Sequence, residues 1–163
     1  MSLDLLAAIR RLRVVPVATA LTSVAMGLRV AEALRAGGLP VLEVTFRTAA
    51  ASEIISEVAK AFPDFLVGAG TVLTRADLHR AQEAGARFAV APGCNPTILQ
   101  AALADGFPFL PGVATPSDVE RALELGVKAL KFFPAEALGG VKLLKAIEAP
   151  YAHLGVQFVP TGG

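Results

Sequence analysis

Short apolar runs alternate with longer helical stretches along the whole chain of 163 residues. Each run is too short for a typical helix, and its apolar content predicts a buried strand. Seven runs fit this description: Val14–Ala18, Val41–Phe46, Phe65–Ala69, Phe88–Ala91, Phe107–Leu110, Ala129–Phe133 and Gln157–Val159. Because a repeated strand–helix order requires parallel strands, the chain is predicted to form either a doubly wound open sheet or a (β/α)₈ barrel.

Helix signals lie between these strands. Thr74 followed by Asp77 predicts a capping box, and Thr115-Pro116 places a proline at the first helical position. Helix ends are predicted at four glycines: Gly37, Gly85, Gly106 and Gly126. The last three are 21 and 20 residues apart, which is close to the length of one strand, one helix and two short loops.

The turn after the first strand decides between the two architectures. The strand ends with Pro16-Val17-Ala18-Thr19, which lacks the G-x-G-x-x-G phosphate turn of dinucleotide-binding open sheets. The sequence therefore favours an α/β fold of the TIM-barrel type, formed by residues 1–163 as a single domain.

Polar residues alternate with apolar ones in the second predicted strand. Glu43, Thr45 and Arg47 share one face, because successive side chains of a strand point to opposite sides. In a barrel this polar face would point inward, towards the mouth at the carboxyl ends of the strands where active sites lie. An edge strand with a solvated polar face is the alternative.

Lys131 is the only one of the five lysines that lies within an apolar strand, between Leu130 and Phe132. Lysine is rarely buried without a partner. Removal from water disfavours the charged ammonium form, which leaves an amine able to attack a carbonyl. A purely structural ion pair of Lys131 with Glu43 remains the alternative.

Two glycine-rich turns follow predicted strands. Gly68-Ala69-Gly70-Thr71 would let the backbone approach a ligand closely, and Pro160-Thr161-Gly162-Gly163 is suited to binding an anion through backbone amides. The two histidines, His79 and His153, have no carboxylate or second histidine at metal-ligand spacing. We therefore expect no metal and no cofactor.

The composition excludes several classes of partner. Fifteen basic and fourteen acidic residues give a net charge of +1, so neither a nucleic acid nor an acidic membrane is an expected partner. Cys94 is the only cysteine, which is consistent with a reducing compartment. Because no signal peptide or membrane-spanning run is recognisable, we expect a cytoplasmic protein.

Four segments together resemble the bacterial 2-keto-3-deoxy-6-phosphogluconate aldolases. They are Leu42-Glu43-Val44-Thr45-Phe46-Arg47-Thr48, Val67-Gly68-Ala69-Gly70-Thr71-Val72-Leu73, Lys131-Phe132-Phe133-Pro134-Ala135-Glu136 and Pro160-Thr161-Gly162-Gly163. The segments occur in the family's order and with similar spacing over nearly the whole chain. The resemblance implies a trimeric (β/α)₈ barrel and a metal-independent class I aldolase that binds a phosphorylated 2-keto-3-deoxy sugar acid and pyruvate.

The resemblance also implies a role for each matching residue. Lys131 would form the Schiff base, and Glu43 would act as the acid and base through water. Arg47 and Thr71 would hold the pyruvate carboxylate, and Phe133 would form a wall of the site. The remaining substrate contacts would come from the last turn: Thr161, Gly162 and Gly163.

This chain departs from the family pattern at its end. The family has an eighth strand whose Gly-Gly-Ser loop binds the substrate phosphate, and the present sequence stops at Gly163, so we expect seven strands, with the last βα unit missing. The preferred substrate stays open between 2-keto-3-deoxy-6-phosphogluconate, its galactonate epimer and 4-hydroxy-2-oxoglutarate. A barrel that binds sugar phosphates or oxo acids without turnover is a further alternative.

Overall fold

The computed structural model describes residues 5–162 of the chain. Its helices are α1 Leu5–Leu12, α2 Val24–Ala36, α3 Ala51–Ala61, α4 Arg75–Glu83, α5 Pro96–Ala104, α6 Pro116–Glu124 and α7 Gly140–Glu148, followed by a 3₁₀ helix at Ala149–Leu154. Its strands are β1 Val17–Ala18, β2 Val41–Thr45, β3 Leu66–Gly70, β4 Ala89–Val90, β5 Phe109–Leu110, β6 Gly112–Val113, β7 Ala129–Phe132 and β8 Gln157–Pro160.

All strand pairs are parallel, as the strand–helix alternation predicted. They form a five-stranded sheet in the order β1-β2-β3-β4-β5 and a three-stranded sheet in the order β6-β7-β8. In the part of the chain that the structure describes, β1 and β8 each pair with one neighbour only. The chain therefore has an α/β fold with parallel sheets, and these strands do not close into one ring.

The fifth predicted strand, Phe107–Leu110, proved to be part of a longer segment that is divided at Pro111. Proline has no N–H to donate, so backbone pairing towards β7 begins only at the Pro111 carbonyl, which accepts from Lys131 N at 2.9 Å. On the other side, the Leu110 carbonyl accepts from Ala91 N at 3.1 Å. The segment thus has β5 in one sheet and β6 in the other.

The strands separate two groups of buried apolar side chains. Leu42 and Val44 point towards the helices and belong to the larger group. The smaller group lies on the opposite face of the strands and comprises Val41, Leu66, Phe88, Val90 and Leu110. Since β2 pairs with strands on both sides and all five of its residues are buried, the alternative of a solvated edge strand is wrong.

Local capping follows the sequence signals. Thr74 and Asp77 form the predicted capping box of α4, and Thr115 caps α6 with proline at its first position. Asp118 completes a second capping box there, which the sequence analysis did not single out. None of the helices within residues 5–162 has the length and apolar character needed to cross a membrane.

Candidate active site

A buried ion pair joins the two sheets near the carboxyl ends of their strands. Lys131 Nζ on β7 lies 3.3 Å from Glu43 Oε1 on β2, and the two side chains are only 9% and 4% exposed. Strand alternation places both groups on the face that bears the smaller apolar group, because their neighbours Leu42 and Leu130 point towards the helices. The structure thus brings together the two residues that the sequence analysis selected as candidates, in the ion pair that it considered as the structural alternative.

The carboxyl group of Glu43 is in an unusual electrostatic environment. Burial raises its pKa above the ordinary value of 4.5, although the charges of Lys131 and Arg47 partly offset the shift. Burial dominates because the charged form loses its hydration. Glu43 can therefore hold or release a proton closer to neutral pH than an exposed glutamate does.

Two glycines of β3 make room for the side chains around this pair. A Cβ built on Gly70 would lie 2.8 Å from both Cδ and Cγ of Glu43. One built on Gly68 would overlap the ring of Phe88, with Cδ2 at 2.6 Å. The sequence analysis assigned these glycines to close approach of a ligand, but in the structure the groups that approach them are protein side chains.

Arg47 follows β2 and is held by a short hydrogen-bond chain. Its Nε donates to Thr45 Oγ1 at 3.4 Å, and the same hydroxyl donates to the carbonyl of Ala18 at 3.2 Å. Thr45 is 3% exposed, so it links the ends of β1 and β2 within the interior. The guanidinium is thereby placed close enough to Glu43 to influence its titration.

Thr71 directly follows β3 and has a backbone φ of 58°. This left-handed conformation costs a residue with a β-branched side chain on the order of 1–3 kcal/mol and is concentrated at functional sites. The alternating pattern of the sequence contains no signal for this conformation. A threonine kept at such a position supports the interpretation that its side chain has a function.

The candidates from the carboxyl ends of β7 and β8 lie side by side. Lys131 Nζ is 5.2 Å from the centroid of the Phe133 ring, a cation–π distance. Thr161 N donates to the Phe132 carbonyl at 2.9 Å, and a Cβ on Gly162 would be 3.3 Å from Phe133 Cδ2. The predicted contact of Gly163 lies outside the described residues.

A cavity of about 500 Å³ opens onto the ion pair. Glu43, Lys131 and Thr161 line it together with α1 and the segment before β1, whereas the other predicted site residues, Arg47, Thr71 and Phe133, do not. Arg47 and Thr71 occupy the carboxyl ends of the neighbouring strands β2 and β3. The volume is in the range of small-molecule sites, and an apolar pocket with a few convergent polar groups is typical of them.

Sequence reasoning missed two residues of this site. Thr45 shared the polar face of β2, yet only the structure shows that it binds Arg47. Phe88 was placed in a strand, but its ring extends across Gly68, a contact that no local pattern reveals. Among residues 5–162, no group of three or more histidine, cysteine or carboxylate side chains is arranged to hold a metal ion.

This arrangement suits reaction with a carbonyl compound. A primary amine in an apolar cavity is a candidate nucleophile, and an adjacent carboxyl group with a raised pKa is suited to move protons during the same reaction. The nearby guanidinium of Arg47 could pair with a carboxylate of the bound compound.

Comparisons with known proteins agree with this chemistry. The family model "KDPG and KHG aldolase" matches residues 5–163. The 2-dehydro-3-deoxy-phosphogluconate aldolase of Treponema pallidum is 47% identical over 156 residues, which cover 96% of this chain and 73% of that protein.

Two solved structures extend the comparison. The 2-keto-3-deoxy-6-phosphogluconate aldolase of Zymomonas mobilis, solved with 3-phosphoglycerate, is 44% identical with a TM-score of 0.92, covering all of this chain and 76% of its own. The KDPG aldolase of Legionella pneumophila was captured with pyruvate as a covalent carbinolamine intermediate. It is also 44% identical, with a TM-score of 0.86 over 91% of this chain and 71% of its own.

Proposed function

The chain belongs to the KDPG and KHG aldolase family, and we propose that it cleaves 2-keto-3-deoxy-6-phosphogluconate to pyruvate and glyceraldehyde 3-phosphate through a Schiff base on Lys131. The observation that carries this proposal is the buried amine of Lys131, 3.3 Å from the Glu43 carboxyl group and open to a cavity. The covalent carbinolamine of the Legionella pneumophila relative supports a covalent mechanism.

The reaction begins when Lys131 Nζ attacks the C2 ketone of the substrate. The carbinolamine loses water and becomes a protonated imine, which withdraws electrons from the neighbouring carbon chain. Glu43 takes the proton of the C4 hydroxyl as the C3–C4 bond breaks, and glyceraldehyde 3-phosphate leaves. Glu43 then returns the proton to C3 of the resulting enamine, and water hydrolyses the imine to release pyruvate and the free amine.

The other residues bind the substrate around this centre. Arg47 and Thr71 hold the carboxylate next to the reacting ketone, and Phe133 forms an apolar wall beside the amine. Thr161, Gly162 and Gly163 also contact the substrate. The distance of 5.2 Å between Lys131 Nζ and the Phe133 ring supports the role of the wall, and the left-handed backbone of Thr71 supports a functional role there.

We also propose that the chain folds as one domain of the (β/α)₈ barrel type. The alternation of strands and helices and the parallel pairing of the described strands support this arrangement. We further propose that the protein forms a homotrimer and is located in the cytoplasm. The family resemblance of the sequence supports the trimer.

Trapping with pyruvate and cyanoborohydride tests the function directly. The protein should gain one reduced pyruvate adduct, mapped by peptide mass spectrometry to Lys131. A coupled assay should then detect both cleavage products from 2-keto-3-deoxy-6-phosphogluconate. Assays with 4-hydroxy-2-oxoglutarate and the galactonate epimer rank the substrates, whereas absence of both adduct and turnover would indicate a binding protein.

Arg47→Met is expected to raise the half-saturating pyruvate concentration for trapping by about 10- to 100-fold. A hydrogen bond to a charged group contributes about 1.5–3 kcal/mol, and about 1.4 kcal/mol corresponds to a tenfold change in affinity. The adduct should still form at saturating pyruvate, since the amine is intact. Arg80→Met is the matched control, because Arg80 lies over the Phe46 ring at the protein surface. Equal pyruvate dependence in both variants would argue against carboxylate binding by Arg47.

The pH dependence of methyl-proton exchange in pyruvate should show an acid limb with its midpoint above 4.5. Exchange requires ionised Glu43 as the base, and burial raises the pKa of this group. The rate at saturating pyruvate should therefore rise with pH through the raised pKa and then level off. Measurement by NMR should find no such limb in Glu43→Gln, while Glu57→Gln, at a partly exposed glutamate of α3, should retain it. A wild-type midpoint at or below 4.5 would contradict the assignment.

A further inference from the structure

We propose that Gly70 is a positioning residue for the catalytic carboxyl group: the absence of a side chain at this position lets the Glu43 carboxyl group pack against the backbone of β3 and reach Lys131. This inference rests on the proposed function, because it assigns Glu43 the role of acid and base. Gly70 would not touch the substrate and would act only through the position of Glu43.

The first argument for this role is that there is no space for a side chain at position 70. Gly70 is the last residue of β3, and its strand pairs in register with β2, so that Thr45 lies opposite Gly70 and Glu43 opposite Gly68. A Cβ at position 70 would overlap the carboxyl group of Glu43, with Cδ and Cγ both at 2.8 Å. Non-bonded carbon atoms normally approach to about 3.5–4.0 Å, so the carboxyl group could not stay where it is.

The second argument is the backbone conformation of Gly70 and Thr71. Gly70 does not adopt a positive φ, whereas Thr71 does, at 58°. Backbone preference alone would place glycine at 71 and a residue with a side chain at 70. The chain has the opposite arrangement, so both choices follow from side-chain requirements. Position 70 must lack a side chain so that the Glu43 carboxyl group has room, and position 71 must bear a side chain.

The third step concerns what moves when the space is filled. The Gly70 carbonyl accepts a hydrogen bond from Phe46 N at 2.8 Å, which fixes the backbone of β3 against the end of β2. The carboxyl group of Glu43 is the freer partner, since it lies at the end of a side chain. Gly70→Ala should therefore displace the carboxyl group from Lys131 and leave the strands in place.

The experiment is a double-mutant cycle between positions 70 and 43. Gly70→Ala is expected to slow methyl-proton exchange in pyruvate by on the order of 10²-fold, as a displacement of about 1 Å does. The final yield of borohydride-trapped adduct should stay within about threefold of wild type. Glu43→Asp shortens the acid by one methylene, so adding Gly70→Ala to that variant should lower exchange by less than about threefold.

Gly68→Ala is the matched control, two residues earlier on the same strand. A Cβ at position 68 would meet the Phe88 ring, so Gly68→Ala should change the exchange rate by the same factor whether position 43 is glutamate or aspartate. Equal effects of Gly70→Ala in the Glu43 and Glu43→Asp backgrounds would overturn the inference, as would wild-type exchange in Gly70→Ala. If Gly70→Ala alone does not fold, recovery of folding in the double variant supports the inference, and failure of both variants overturns it. A wild-type protein without trapped adduct would instead overturn the proposed function, and this inference with it.

Discussion

Lys131→Arg is expected to abolish trapping of pyruvate and to lower aldol cleavage by on the order of 10⁴-fold or more, the scale observed when a covalent nucleophile is removed. The arginine keeps a positive charge next to Glu43, but its guanidinium stays protonated and cannot form an imine. The measurements are the mass of the borohydride-reduced protein and the rate of pyruvate release from 2-keto-3-deoxy-6-phosphogluconate.

Lys128→Arg is the matched control for this variant. Lys128 directly precedes β7, three residues before Lys131, and is exposed. It should retain both the adduct and the cleavage rate. An adduct that persists in Lys131→Arg, or one that maps to Lys128 in the wild type, would show that another amine is the nucleophile.

Glu43→Gln is expected to separate imine formation from proton transfer. The adduct should still form, because the Lys131 amine is present, while exchange of the pyruvate methyl protons and aldol cleavage should fall by about 10²- to 10⁴-fold. The amide is nearly isosteric with the acid but cannot accept and return a proton at this position. NMR of pyruvate in deuterated water measures the exchange, and mass spectrometry measures the adduct.

Glu43→Gln also tests the alternative that the pair of Lys131 and Glu43 is only structural, because it removes one of the two charges. Loss of one partner of a buried ion pair typically costs about 3–5 kcal/mol, since the other charge is left unpaired. If the pair is only structural, its loss should lower the melting temperature, and the exchange rate should fall only in proportion to the loss of folded protein. Thermal unfolding recorded beside exchange distinguishes the two roles: a large rate loss in a folded variant supports catalysis.

The strand order and the meeting of Glu43 with Lys131 were predictable from the sequence. Both residues interrupt apolar strands at alternating positions, and parallel strands bring their carboxyl ends to one side. Helix starts were predictable where capping is local, as at Thr74 and Asp77. These features depend on residues close together in the chain.

Features that depend on distant contacts were not predictable. Gly68 and Gly70 were assigned to ligand approach, because the sequence does not show that Phe88 and Glu43 extend over them. The left-handed backbone of Thr71 likewise has no signal in the sequence pattern. The hydrogen bond between Arg47 and Thr45 is local, but the shared face of β2 predicts only that the two side chains lie on the same side.

The fifth predicted strand, divided at Pro111, lies between the sheet that bears the proposed base and the sheet that bears the proposed nucleophile. Glu43 lies in the sheet that ends at β5, and Lys131 lies in the sheet that begins at β6. The segment Phe109–Val113 is hydrogen-bonded to both sides, because Ala91 N donates to the Leu110 carbonyl and Lys131 N donates to the Pro111 carbonyl. The distance of 3.3 Å between Glu43 and Lys131 therefore depends on the position of this shared segment. Gly112 lies at this joint, where a Cβ would overlap the Pro92 carbonyl and lie 2.7 Å from Gly93 N. A side chain at position 112 would push the shared segment away from the Pro92–Gly93 backbone, and the effect would reach Lys131 through the Pro111 carbonyl without direct contact with Lys131 or Glu43.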